Sequence, residues 1–297
     1  MAAAFDSSTI FRVDGIVAVI TGGGSGIGLT MARALAVNGA AKVYILGRRL
    51  EVLEAAAKEY SSLVPLQCDV TSKQALQAAF DLIEHDAGLP SGRAVRFDPA
   101  APSVSELRAT LFADFATEDM NDTLRLNVTA AFFTMTAFLE LLDAGNANAL
   151  KGGGGWGKPL AQGGGGDVPA IQSQVVFTTS ISAFSRHWSS SPPYLTSKVA
   201  IMQVTKHAST QLAKFGIRVN AIAPGLYPSD LASVLIDNRN PAEESFEDPR
   251  FIPARRFGKD EEMCGAILFL TSRAGSYSNG LILTTDGGRL SVMGSTY

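Results

Sequence analysis

Short runs of consecutive apolar residues alternate with longer stretches in which apolar residues recur every three or four positions. Val17–Ile20 is the first such run, and apolar residues then recur at helical spacing over 27–35 before Asn38 and Gly39. A continuous apolar run suits a strand that is buried on both faces of a parallel sheet. Strand–helix–strand alternation at this pace predicts βαβ units with right-handed crossovers.

The same alternation continues towards the end of the chain. The pattern predicts further strands at 42–46, 63–67, 174–178, 218–222 and 281–284, and helices at 51–60, 72–85, 117–142, 194–215 and 261–270. We therefore predict an α/β fold in which a doubly wound, Rossmann-like parallel sheet forms a single domain over residues 1–297.

Two stretches interrupt this pattern. Residues 145–169 hold two runs of four glycines, a composition that is typical of a flexible surface loop. Residues 86–105 are irregular, and Ala94–Phe97 is the strand-like piece within them. We interpret both stretches as interruptions of one domain, because the strand–helix alternation resumes after each.

Composition and charge narrow the classes of function. The chain has 25 basic and 28 acidic residues, which leaves no basic field for nucleic acid. Its apolar runs are too short to cross a bilayer, and the N-terminus lacks the pattern of a signal peptide. Cys68 and Cys264 do not suggest a disulfide framework. We expect a cytoplasmic globular protein without a nucleic-acid or membrane partner, and we predict no metal site.

A glycine-rich loop, Thr21–Gly28, follows the first predicted strand and opens the first long helix. Glycines permit a tight turn and let a pyrophosphate approach the backbone, and the helix N-terminus offers N–H groups and a favourable dipole. A plain turn is the alternative interpretation. The candidate cofactor contacts in this loop are Gly22, Ser25, Gly26, Ile27 and Gly28.

The residues after the second strand select the cofactor. An acidic residue there would bind the ribose 2′-hydroxyl of NAD, whereas arginine accommodates the 2′-phosphate of NADP. Here the strand at 42–46 is followed by Gly47, Arg48 and Arg49, with no acid. We predict NADP(H) as the cofactor, with Arg48 as the main phosphate contact and Arg49 as a further one. Two solvated arginines at the start of a helix are the alternative.

Tyr194 and Lys198 are four residues apart on a predicted helix, so both side chains project from one face. A tyrosine with its ordinary pKa of about 10 is a poor base at neutral pH. A nearby ammonium favours the phenolate and brings the tyrosine closer to useful acid–base chemistry. This spacing is common by chance, so its weight depends on the surrounding sequence.

That surrounding sequence resembles the short-chain dehydrogenase/reductase family, and in particular fungal members with a glycine-rich insertion. The resemblance extends from about Val13 to Arg289. The matching segments are Thr21–Gly28, Leu126–Thr129 around Asn127, Phe177–Ser180, Tyr194–Lys198, Arg218–Gly225 and Asp286–Gly288.

The resemblance implies hydride transfer between a nicotinamide and a ketone or secondary alcohol. Tyr194 would exchange the proton, and Lys198 would also bind the nicotinamide ribose. Ser180 would hydrogen-bond the substrate oxygen, with Ser182 as the runner-up. Asn127 would hold a water that links the lysine to solvent. With NADP(H) in a reducing cytosol, reduction of a small-molecule carbonyl substrate is the expected direction.

The resemblance also implies further cofactor contacts. Asp69 and Val70 match the pair that contacts the adenine, although an Asp-x-Thr helix start is a competing local explanation for Asp69. Pro224 and Gly225 would lie beside the nicotinamide, and Ser229 would contact its carboxamide.

The family resemblance also implies where the substrate would bind and which helices would form the contact between subunits. The substrate pocket would be lined by Phe184, His187, Trp188 and the loop over 226–256. A homo-oligomer, dimer or tetramer, is expected through the helices that bear Asn127 and Tyr194.

The chain departs from the family at the fourth strand. The family has a central strand that ends in Asn-Asn-Ala-Gly, and no such segment is found here. Omission of a central strand leaves backbone groups without partners on both neighbouring strands. We hypothesise that the region is either rebuilt from Ala94–Phe97 or damaged. A catalytically impaired dinucleotide-binding protein is therefore the alternative function, and an epimerase or dehydratase is a third.

Overall fold

The computed structural model describes residues 7–72, 74–76, 103–108, 117–151, 169–187, 190–229, 232–236 and 238–297. Its strands are β1 (Val17–Thr21), β2 (Lys42–Leu46), β3 (Leu63–Leu66), β4 (Gln174–Thr178), β5 (Arg218–Pro224) and β6 (Ile282–Thr285). Its α-helices are α1 (Ser7–Ile10), α2 (Gly26–Val37), α3 (Leu50–Ala57), α4 (Val104–Arg108), α5 (Thr117–Leu124), α6 (Ala131–Ala137), α7 (Leu139–Leu150), α8 (Pro192–Gln211), α9 (Ser233–Ile236) and α10 (Asp260–Thr271). A π-helix, Arg125–Ala130, joins α5 to α6.

The described strands form two three-stranded sheets, in the orders β1-β2-β3 and β4-β5-β6. Every pairing is parallel, for example Val17 beside Lys42 in the first sheet and Gln174 beside Arg218 in the second. All carboxyl ends of one parallel sheet lie at the same edge, and this is where open α/β sheets bind their ligands.

Helices cover both faces of the strands, as the doubly wound prediction requires. Val43 and Ile45 of β2 pack in one core cluster with α2, α3 and α10. The alternate residues of β2, Tyr44 and Leu46, pack in a second cluster with Ala130. This alternation confirms that β2 is buried on both faces, which explains its continuous apolar sequence.

One core cluster connects the two sheets. It contains Val43 of β2 and Ile222 of β5, together with Leu35 of α2 and Met263 of α10, and all four side chains are buried. The two sheets therefore share a hydrophobic core through the contact between α2 and α10.

β1 and β4 each pair with a strand on one side only, within the part of the chain that the structure describes. Both strands are largely half-buried, and Val17 is 58% exposed. In contrast, β5 has a partner on each side and is buried at all seven positions. No described strand therefore fills the position of the family's fourth strand, and the candidate Ala94–Phe97 lies outside the described residues.

The prediction of one helix over 117–142 is wrong about where the helix ends. The helix stops at Ala137, bends by 42°, and continues as α7 to Leu150. Residues 145–150, which the sequence predicts to begin the flexible insertion, are therefore helical. Their anchor is Asn146, which is buried, donates to the Gly216 carbonyl at 2.9 Å and accepts from the Ser173 N–H at 2.8 Å.

The remaining interruptions lie mostly outside the described residues. These include 152–168 of the glycine-rich insertion and 86–102 of the irregular segment, whereas Val104 and Ser105 begin α4. Among the described residues no single helix has the length and apolar content that crossing a membrane needs. One bent pair of helical segments, Thr117–Ala137 and Leu139–Leu150, has the required length and apolar content only when the two segments are counted together.

Candidate active site

The glycine-rich loop leaves β1 in the conformation that the sequence predicts. The N–H groups of Gly22 and Gly23 donate to the Leu46 carbonyl at 2.7 and 3.2 Å, which ties the loop to the end of β2. Gly22 and Gly26 have φ values of 69° and 51°, in the region that favours glycine. Ser25 precedes α2 without capping it through its side chain, so the first N–H groups of the helix remain open to a ligand.

The loop that follows β5 lies against this glycine-rich loop. A Cβ placed on Gly26 would come within 3.3 Å of the Ser229 Cβ. The Gly225 N–H donates to the Thr285 carbonyl at 2.9 Å, and Pro224 pairs with Thr285 in the sheet. The carboxyl ends of both sheets therefore meet here, and Pro224, Gly225 and Ser229 border the crevice that the resemblance assigns to the nicotinamide.

Arg48 and Arg49 are both exposed at the end of β2, beside the glycine-rich loop. The Arg48 backbone carbonyl accepts a hydrogen bond from the Gln67 side-chain amide at 2.8 Å, which holds the chain in place. The ion pairs found among the described residues include neither guanidinium. Both side chains therefore have donors to offer to a phosphate group.

Asp69 and Val70 follow β3, and the structure gives each a local role. The Asp69 carboxylate accepts from the Thr71 N–H at 2.8 Å and from its hydroxyl, so the Asp-x-Thr turn is present as the competing explanation states. Val70 is buried in the second core cluster. Asp69 remains exposed, so this local role leaves it accessible to an adenine.

Ser180, Tyr194 and Lys198 converge at the carboxyl end of β4. The Ser180 hydroxyl lies in hydrogen-bonding reach of the Tyr194 phenol. The Lys198 Nζ lies 5.5 Å from the centre of the Tyr194 ring and donates to the Thr178 carbonyl at 3.1 Å. The Thr179 hydroxyl donates to the Lys198 carbonyl at 2.7 Å, which fixes α8 against the strand end.

Burial sets the proton affinities of the phenol and the amine. It raises the pKa of Tyr194, and the hydrogen bond with Ser180 offsets part of that rise. It lowers the pKa of Lys198 to about 8. The expectation that the ammonium favours the phenolate is therefore outweighed by burial. At neutral pH the tyrosine is protonated and most of the lysine is charged, so the phenol is ready to donate a proton.

Asn127 lies in the π-helix and reaches the same helix that carries the phenol. Its side-chain amide donates to the Ser197 hydroxyl at 2.9 Å, and that hydroxyl donates to the Tyr194 carbonyl at 2.7 Å. π-helical turns inside α-helices occur often at functional sites. Sequence reasoning missed Ser197, although its place beside Lys198 in the Tyr-x-x-x-Lys segment is a usable signal.

Ser182, the alternative to Ser180, has a structural role through its backbone. Its N–H donates to the Ser180 hydroxyl at 3.1 Å, which caps the 3₁₀ turn Ile181–Ala183. This bond helps to fix the Ser180 side chain.

The predicted substrate segment follows that turn. Burial and the charge of Arg289 lower the pKa of His187, whereas Trp188 lies outside the described residues. A cavity of about 670 Å³ lies between α10 and β6 and includes Leu226 and Arg256 of the predicted substrate loop. None of the predicted catalytic or cofactor residues lines it, so we do not assign the substrate to it.

Comparison with known proteins covers both halves of the chain. Residues 16–150 match a family model described as short chain dehydrogenase, and residues 167–289 match one described as enoyl-(acyl carrier protein) reductase. The chain is 54% identical over 276 residues to the short-chain dehydrogenase/reductase SAT3 of Stachybotrys chartarum, covering 90% of this chain and 100% of that protein. It is 38% identical over 304 residues to PhomF of Diaporthe leptostromiformis, covering 98% and 97%. These fungal relatives confirm the predicted resemblance.

A solved structure extends the comparison to the fold. The gluconate 5-dehydrogenase from Burkholderia cenocepacia, in complex with NADP and tartrate, superposes with a TM-score of 0.72 at 26% identity. The superposition covers 96% of this chain and 99% of that one. The predicted Rossmann-like architecture is thereby confirmed.

Proposed function

This chain belongs to the short-chain dehydrogenase/reductase family of oxidoreductases, and we propose that it uses NADP(H) to reduce a ketone to a secondary alcohol. One observation carries the proposal: the Ser180 hydroxyl, the Tyr194 phenol and the Lys198 ammonium converge beside the end of β4. The same geometry serves the reverse oxidation, in which Tyr194 accepts the proton instead.

Each side chain has one task in this mechanism. When bound, the cofactor supplies the hydride. Ser180 donates a hydrogen bond to the carbonyl oxygen and orients it towards Tyr194. The phenol gives its proton to that oxygen as the carbonyl becomes an alcohol, and the phenolate left behind is stabilised by the Lys198 ammonium. Asn127 holds α8 in register through Ser197 and the Tyr194 carbonyl.

The cofactor assignment depends on the charge at the end of β2. Arg48 and Arg49 are exposed there, no acidic residue occupies the turn, and neither guanidinium forms an ion pair within the described ranges. A 2′-phosphate would meet two cationic groups, whereas a bare 2′-hydroxyl would lack its usual carboxylate acceptor. The NADP bound by the Burkholderia enzyme is in keeping with this proposal.

The test is NADPH oxidation with a panel of activated ketones, for the wild type and for Tyr194→Phe. We expect turnover in the wild type and a loss of about 100-fold or more in the variant, because removal of a general acid has this effect. The NADPH dissociation constant, measured by fluorescence, should stay within a factor of about two. Tyr277→Phe is the matched control, since Tyr277 is fully exposed. Equal activity in Tyr194→Phe would eliminate the assignment.

A second candidate function is a dinucleotide-binding protein without efficient catalysis. The observation that favours it is the absence of a partner on one side of both β1 and β4 in the described part of the chain. It predicts NADPH binding without oxidation by any ketone of the panel. Micromolar NADPH affinity together with ketone-dependent turnover would exclude it.

A further inference from the structure

The chain's last residues pair with the loop that connects Ser180 to Tyr194. Ser295 forms an antiparallel bridge with Ser185. The Arg186 N–H donates to the Gly294 carbonyl at 2.7 Å, and the Thr296 N–H donates to the Phe184 carbonyl at 2.7 Å. The tail over 294–297 is thus fixed to the protein through a short two-stranded contact.

This contact brings two aromatic rings together. The rings of Phe184 and Tyr297 lie 5.2 Å apart at an angle of 83°, an edge-to-face arrangement. Neither ring belongs to the three core clusters, and Tyr297 is 72% exposed. Core packing therefore does not explain the pair, and most of the Tyr297 ring is available to a ligand.

The loop that carries Phe184 begins at Ser180, the residue that the proposed function assigns to the substrate oxygen. Phe184 lies four residues after Ser180, directly beyond the 3₁₀ turn that the Ser180 hydroxyl caps. A hydrogen bond of 2.7 Å between the hydroxyls of Ser185 and Ser190 also holds the loop. Ser190 lies two residues before the start of α8. The tail therefore braces the segment between the two groups that the proposed function assigns to the carbonyl.

We propose that Tyr297 and Phe184 form an aromatic wall of the substrate site, which selects carbonyl substrates that carry a flat apolar substituent. The inference rests on the proposed function for its reacting groups. The wall stacks on the substituent, while Ser180 and Tyr194 hold the oxygen. Tyr297 is then a specificity-determining residue that lies more than a hundred positions after Ser180 in the sequence.

The experiment compares acetophenone with 2-butanone as ketones for NADPH oxidation. Tyr297→Ala should lower kcat/KM for acetophenone about fivefold, mainly through KM, and leave 2-butanone within about twofold, since stacking on one ring is worth about 1 kcal/mol. Tyr297→Phe should behave as the wild type. Tyr277→Ala is the matched control, and the NADPH dissociation constant should be unchanged in all three variants.

A binding measurement separates this inference from the proposed function. Saturation-transfer NMR of acetophenone with the NADP⁺-loaded protein should give a signal in the wild type and Tyr297→Phe, and lose most of it in Tyr297→Ala. If the wild type binds acetophenone but turns over neither ketone, the reductase proposal fails and the wall stands. If Tyr297→Ala changes neither the ketone preference nor the binding of acetophenone, the proposed aromatic wall is excluded.

Discussion

Burial moves the pKa values of two neighbouring residues in opposite directions. It raises that of Tyr194 and lowers that of Lys198 to about 8, because in each case the neutral form is favoured away from water. The pair is therefore set for proton donation at neutral pH, with the phenol protonated and the ammonium still largely charged. The same shifts imply that, in the proposed reduction, Tyr194 loses the positive charge beside it as Lys198 deprotonates.

A pH dependence follows from the lysine. As the pH rises through about 8, Lys198 becomes neutral and no longer stabilises the phenolate that forms, so the initial rate of ketone reduction should fall. Initial rates of NADPH oxidation between pH 6 and 9.5 measure this decrease, which forms the alkaline limb of the pH–rate profile. In Lys198→Arg the limb should move to higher pH, because a guanidinium stays charged. A flat profile, or the same limb in Lys198→Arg, would contradict the role of the lysine.

We propose that Arg48 determines the choice between the two nicotinamide cofactors. In Arg48→Ala the NADPH dissociation constant should rise about 10- to 100-fold, since charge-assisted hydrogen bonds contribute about 1.5–3 kcal/mol. NADH binding should change by less than about threefold, because NADH lacks the 2′-phosphate. Fluorescence titration measures both, with the exposed Arg273→Ala as control. Equal losses for the two cofactors would show that Arg48 does not contact the phosphate.

At the scale of elements, the turn from β1 into α2 depends on close backbone contact. A Cβ on Gly28 would lie 2.4 Å from the Gly22 carbonyl oxygen, whereas one on Gly265 in α10 would meet nothing within 4 Å. Gly28→Ala should therefore lower the free energy of unfolding by about 2–3 kcal/mol and abolish NADPH binding. Gly265→Ala should raise it by about 0.5–1 kcal/mol, because alanine favours a helix.

Chemical denaturation with both glycine variants measures this difference. NADPH titration of the folded variants completes the comparison. A Gly28→Ala protein as stable as the wild type would show that the loop can rearrange.

The bounds of an element could be predicted from the sequence where its apolar residues follow the period of a strand or a helix. β1, β2, β4 and α2 lie within one or two residues of their predicted bounds. The apolar residues of the strands alternate between two packed faces, whereas those of α2 recur at helical spacing and pack in one core cluster. The candidate site was also predictable as residue types, since Tyr194 and Lys198 share a helix face. What local pattern cannot specify is a contact with a distant segment.

Two elements show what the sequence leaves out. α7 continues through Gly145 and Asn146 because Asn146 bonds to Gly216 and Ser173, which lie far along the chain. Arg218 lies buried in β5, where its guanidinium donates to the carbonyls of Gly275 and Ser278.

At the scale of the whole molecule, the two three-stranded sheets share one core, and α6 and α8 are among the helices that carry exposed apolar side chains. Phe132 on α6 is 41% exposed and Val199 on α8 is 37% exposed. These are the helices that follow Asn127 and carry Tyr194, where the family resemblance places the subunit contact. A continuous exposed apolar surface is typical of an interface. We propose a homo-oligomer, dimer or tetramer, on this face.

Substitution of one of these side chains tests the assembly. Phe132→Glu should reduce the mass measured by light scattering after size exclusion, because a charge would be buried at the contact. Phe246→Glu, which changes a more exposed phenylalanine in another part of the chain, should leave the mass unchanged. A monomeric wild type would exclude the proposed assembly.

The convergence of Ser180, Tyr194 and Lys198 on a reacting carbonyl is tested most directly by following the hydride. NADPH that carries deuterium on the transferred position of the nicotinamide is incubated with acetophenone and the wild-type protein, and the alcohol is analysed by mass spectrometry. We predict one deuterium on the carbinol carbon in the wild type, and almost no labelled alcohol in Tyr194→Phe. Failure of the wild type to form labelled alcohol from any ketone, or equal labelling in both proteins, would contradict the account.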